Sequence, residues 1–143
     1  MLAITRRLFV YGTMLQGERD HALVATLERR GVAKTEASFH LVDLGAYAAL
    51  VPGGSIAVAG EIYALDRATL ATIDVLRQVP LLFKRVRIHL DGDDLAESYV
   101  MEPEQVRGRR RLEHGDWRRR FAAGPRPIES PFARWAKGRH DDK

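Results

Sequence analysis

Short blocks of alternating or wholly apolar residues run along most of this chain, and only two stretches carry the three-to-four-residue spacing of a helix. Arg7–Tyr11 (RLFVY) is an apolar run closed by Gly12, which predicts a buried first strand. Glu18–Arg30 places Ala22, Leu23 and Leu27 at helical spacing and meets Gly31, which predicts a helix with a glycine C-cap. Val32–Leu41 alternates weakly, a strand entering the Asp43-Leu44-Gly45 turn, and Tyr47–Val51 is a short strand stopped by Pro52-Gly53-Gly54. Ala57–Leu65 is strand-like and delivers Asp66 to a helix N-cap. Arg67–Gln78 then sets Leu70, Ile73 and Leu76 on one helical face before Pro80. Phe83–Leu90 opposes Phe83, Val86 and Ile88 to Arg85, Arg87 and His89, and Asp91-Gly92-Asp93-Asp94 is a hairpin signal into Leu95–Met101. The elements predict an α+β fold: six or seven short strands, two helices, and a mainly antiparallel sheet curled into a small barrel.

Length and composition narrow this picture. The 143 residues suit one domain, expected over residues 1–121. Residues 122–143 hold three prolines and read as a peripheral tail, with Phe132 and Trp135 able to pin one helical turn. An apolar content of 45% with 29% charged residues argues against disorder, and the lack of cysteine excludes disulfides and thiolate chemistry. The longest uncharged run, Leu44–Gly60, is broken by Pro52-Gly53-Gly54-Ser55, so no membrane span is expected. The N-terminal stretch lacks a secretory pattern, and the expected location is the cytoplasm.

Charge is unevenly spread. Residues 1–106 carry 11 Lys and Arg against 14 Asp and Glu, whereas residues 107–143 carry 12 against 5. The basic excess centres on Arg109–Arg111 and Arg118–Arg120, clusters that can meet phosphate or nucleic acid. Few aromatics accompany them, so a solvated basic face is the expectation and nucleic acid is not an expected partner. His21, His40, His89, His114 and His140 show no metal-ligand spacing, and no serine sits in a nucleophile elbow.

The chemistry-bearing feature is Leu8-Phe9-Val10-Tyr11-Gly12-Thr13-Met14. A strand ending in glycine before a turn can rotate successive N–H groups outward as an anion nest, where fixed dipoles hold a carboxylate or developing oxyanion. This segment resembles the opening Tyr-Gly-Ser/Thr-Leu signature of the γ-glutamylcyclotransferase-like (AIG2-like) family. Further matches follow in order: Asp43–Leu50, Gly60-Glu61-Ile62-Tyr63, Ile73-Asp74-Val75-Leu76, Arg85 and Gly115-Asp116-Trp117, together covering residues 8–118.

The resemblance implies release of an amine from a γ-glutamyl amide, with the glutamyl part closing to 5-oxoproline and no metal or organic cofactor. The partner is then a small molecule with a carboxylate and an amine, held by the loop Tyr11, Gly12, Thr13, Met14 and Leu15. Apart from the resemblance, Tyr99, on the strand after the hairpin, is read as a core-edge tyrosine or, alternatively, as one pointing its hydroxyl into the cavity. Family enzymes carry their catalytic glutamate in a Leu-Asp-x-x-Glu-Gly segment. Here Ile73–Gln78 places Arg77 at that position, like a bacterial subgroup that also reads Leu-Arg. A guanidinium keeps its proton and is no base. Three readings stay open: Glu61 moves the proton while Arg77 binds a substrate carboxylate; the pocket holds an acidic metabolite without turnover; or Arg77 is an exposed helix residue and Glu61 a strand glutamate paired with an arginine such as Arg85.

Overall fold

The computed structural model describes residues 6–121. Its strands are β1 (Arg6–Val10), β2 (Arg29–Lys34), β3 (Phe39–Asp43), β4 (Ala48–Pro52), β5 (Ala59–Leu65), β6 (Lys84–Leu90), β7 (Asp94–Val100) and β8 (Arg110–Arg111), with one helix, α1 (Arg67–Leu76). They form one mixed sheet ordered β2-β5-β1-β7-β4-β3-β8, with β6 also pairing with β7. Five pairings are antiparallel; β7 runs parallel to β1 and to β4. The sheet curls into a half-barrel, in keeping with the expected α+β class. The expected tail, with its Phe132–Trp135 turn, lies outside the described residues.

Strand alternation makes two cores. Leu8 and Val10 face one side, where Tyr63 and Tyr99 meet Leu70 and Ile73 of α1. Phe9 and Tyr11 face the other, packed with Leu50, Ile62, Val100 and Trp117. The helix begins where expected: the Asp66 carboxylate accepts from the Thr69 amide at 2.7 Å. It stops before Pro80, because Gln78 turns left-handed at φ 54°.

The first expected helix does not form. Across Glu18–Arg30 there is one 3-10 turn, His21–Leu23, and β2 has begun by Arg29. Val24 and Leu27 are buried, three apart, yet Ala22 is exposed, so the apolar stripe spans a single turn. Tertiary bonds take over: Asp20 N–H donates to the Thr13 carbonyl at 2.7 Å, and pairing with β5 draws Arg29–Lys34 into the sheet. Gly31 is then no C-cap; it lies at an irregularity in β2 with φ 125°. The single strand expected over Val32–Leu41 is likewise two, β2 on β5 and β3 on β4.

Candidate functional site

The Gly12–Met14 segment is a single 3-10 turn at the C-terminal end of β1, buried throughout. Gly12 adopts φ 64°, and a Cβ there would lie 2.7 Å from the Ala48 Cβ, so only glycine fits both the backbone and the space. Leu15 N–H closes the turn on the Gly12 carbonyl at 3.2 Å. Among the described residues no hydrogen bond engages the Gly12 and Thr13 amides, and of the two residues Thr13 borders the adjoining cavity.

A small cavity lies against this turn, lined by Tyr11, Thr13, Met14, Ala48, Arg77 and Tyr99, with a volume of about 10 Å³. That is room for roughly one water. Arg77 fills the space a larger molecule needs. It caps α1 at its C-terminal end and turns inward, its side chain only 14% exposed. Its Nη2 stands 3.5 Å from the Thr13 hydroxyl and 3.7 Å from the Asp20 carboxylate, and its guanidinium carbon lies 5.7 Å from the Tyr47 and Phe83 rings. Asp20 carried no periodic or motif signal in the sequence. The Asp20–Thr13 backbone bond brings it here, and its carboxyl sits below the usual range: burial alone pushes it up, but bonding from Thr13 and Arg19 and the Arg77 charge outweigh that.

The two tyrosines wall the cavity. Tyr11 hydroxyl donates to the Tyr99 carbonyl at 2.6 Å and accepts from Leu50 N–H at 2.9 Å. Tyr99 hydroxyl donates to Asp74 at 2.7 Å, and Asp74 also accepts from Arg85 at 3.1 Å. Burial raises the pKa of both phenols, for Tyr99 together with its bond to Asp74, so both stay protonated at neutral pH.

Glu61 sits elsewhere. It pairs with Val10 across β1, and the parallel register Leu8–Glu97 sets Val10 level with Tyr99. Glu61 is therefore two strands from Tyr99, roughly 10 Å, with buried Val10 between. Its side chain is 6% exposed and fully engaged: Oε1 accepts from Gln16 N–H at 3.0 Å and Tyr63 hydroxyl at 2.9 Å, while Oε2 meets Arg118 at 3.0 Å and Arg29 at 3.8 Å. Burial, with the bond to Glu61 adding, pushes Tyr63 up to about 12. Glu61 and Leu15 border a different and larger cavity, about 640 Å³, together with Ile62, Leu90 and Arg118. Arg85 pairs with Asp74 and Glu97, not with Glu61. The structure thus gathers Tyr11, Thr13, Met14, Arg77 and Tyr99, and separates Glu61 and Leu15 from them.

A half-barrel with one capping helix and a glycine turn backed by buried tyrosines defines a protein class, and sequence comparison agrees. The family described as "Gamma-glutamyl cyclotransferase, AIG2-like" matches residues 8–119, and the chain belongs to it. A Vibrio cholerae protein whose name proposes gamma-glutamylcyclotransferase activity is 37% identical over 109 residues, spanning 76% of this chain and 92% of that one. The gamma-glutamylcyclotransferase family protein YtfP of Escherichia coli is 32% identical over 111 residues, 78% of this chain and 95% of its own, and its solution structure superposes with a TM-score of 0.59. A mouse AIG2-like protein shares the fold at 24% identity, with a TM-score of 0.68 over 92% of this chain and 94% of its own. No helix among the described residues is long and apolar enough to cross a membrane.

Proposed function

We propose that the protein receives a γ-glutamyl-type amide at the Gly12–Met14 turn and releases its amine as the glutamyl part closes to 5-oxoproline. The observation that supports this most is the pair of unbonded Gly12 and Thr13 amides beside an inward guanidinium, a positive field matched to an α-carboxylate. The α-amine attacks its own γ-carbonyl, the amide C–N bond breaks, and the leaving amine takes up the proton that the attacking nitrogen gives up. No co-reactant is consumed. Holding the chain folded supplies most of the rate, since a five-membered closure is intramolecular.

Proton transfer is the weak step. Asp20, in contact with Thr13 and Arg77, is placed to hold the substrate ammonium, but its lowered pKa makes it a poor base. The side chain of Arg77 must swing aside for a substrate to enter 10 Å³ of space. Native turnover is therefore expected to be slow. A glutamate at this position supplies the missing base but removes the guanidinium that meets the carboxylate, so Arg77→Glu should raise kcat for 5-oxoproline release by about 10²-fold and raise KM as well, measured on a panel of γ-glutamyl amines.

The same guanidinium favours a second reading, retention of a small acidic metabolite without turnover. No product from either form, together with thermal stabilisation of the wild type by glutamate-like acids that Arg77→Ala abolishes, would replace the first reading by the second. No product and no stabilisation would remove both.

A further inference from the structure

The arginine run Arg109–Arg111 is divided by strand pairing. In β8, Arg111 lies opposite Val42 and Arg110 opposite Asp43 of β3, so the side chains leave on alternate faces. Arg110 goes to one side, where it meets Asp43 at 3.4 Å and donates to the Arg120 carbonyl at 2.7 Å. Arg109 and Arg111 go to the other, the face that also carries Val42 and, two residues earlier on β3, His40. The loop after the 3-10 turn Pro103–Val106 brings Arg107 to the same place.

These residues close on a cavity of about 300 Å³ that shares no lining residue with the Gly12–Met14 turn. Three arginines and a histidine line it, with a single acid, Glu104. Arg109 spends one N–H on the Leu44 carbonyl at 3.1 Å, whereas the guanidinium groups of Arg107 and Arg111 make no hydrogen bond or ion pair among the described residues. A cleft lined by one sign of charge focuses the field and concentrates counter-ions, which a flat solvated face does not do. We infer that this cavity is a second binding site, for a small molecule bearing a multiply charged phosphate group. Guanidinium forks match phosphate oxygens two at a time, and 300 Å³ is the lower end of the range for small-ligand sites. The lining has no Phe, Tyr or Trp on which a base would stack, which favours a phosphate compound over a nucleic-acid strand.

Titration calorimetry of inorganic pyrophosphate into the full chain tests this independently of any turnover. One saturable site is expected. Arg107→Ala with Arg111→Ala should weaken it at least tenfold without changing the melting temperature. Arg107→Lys with Arg111→Lys should fall between, because lysine keeps charge but loses the fork. Arg87→Ala with Arg119→Ala removes two charges elsewhere and should leave affinity within twofold. The absence of saturable binding, or equal weakening by the Arg87/Arg119 pair, would overturn the site in favour of diffuse charge. A single-stranded oligonucleotide that outcompetes pyrophosphate and loses affinity equally in both pairs would make the patch a nucleic-acid surface and end the proposal.

Discussion

Glu97 shows how much one side chain can tie together. Its carboxylate accepts from Arg6 at 2.6 Å and from Arg85 at 2.8 Å, and Arg85 reaches on to Asp74 of α1. Burial pushes the Glu97 carboxyl upward, yet the two arginine bonds outweigh it and hold the group below its ordinary value. A depressed folded pKa contributes stability that is present above the unfolded value, about 4.3, and is lost as pH falls through the folded value. Glu97→Gln should therefore lower the melting temperature at pH 7. It should also make the fall of melting temperature below about pH 4 shallower than in the wild type. An unchanged acid limb would assign that limb to Asp20, Asp66 and Asp94, which are depressed as well. The sequence offered Arg85 as a partner for Glu61. Only folding decided that it serves Glu97 and Asp74, because an arginine's choice among carboxylates is a matter of reach across strands, not of spacing along them.

Elements differ in how far local signals determine them. Helix α1 has every local cue: the Asp66 cap, a stripe through Leu70 and Ile73, and Pro80 just beyond its end. Asp66→Ala should cost about 1 kcal/mol in urea unfolding, the usual worth of an N-cap, while leaving the fold intact. The β6–β7 hairpin was equally legible, since Asp91-Gly92-Asp93 turns where left-handed backbone is needed, with Gly92 at φ 84° and Asp93 at φ 62°. The segment Glu18–Arg30 was not. Its apolar spacing suits a helix, but a weak stripe of two buried residues loses to the β-ladder that β5 offers, and helix propensity is only a weak prior against such pairing.

At the scale of the whole molecule, Trp117 closes the second core. It is 2% exposed, packs with the Phe9–Leu50 cluster, donates from Nε1 to Glu18 at 3.2 Å and carries Arg120 over its ring at 4.5 Å. Trp117→Ala should cost about 3–5 kcal/mol, a large share of a small domain's stability, and lower the melting temperature by roughly 10 °C or more. A drop of only one or two degrees would mean that this core closes without it. The sequence alone determined the family, through short motifs kept in order between residues 8 and 118, and it determined the strand-glycine turn, helix α1 and the β6–β7 hairpin, because each of these elements depends on neighbours within a few residues. Tertiary structure decided what lies beside that turn. Arg77 turns inward and Asp20 joins it, whereas Glu61 is drawn two strands away to Arg118 and Arg29. Strand order sets those distances, and strand order depends on pairings between residues far apart in the chain.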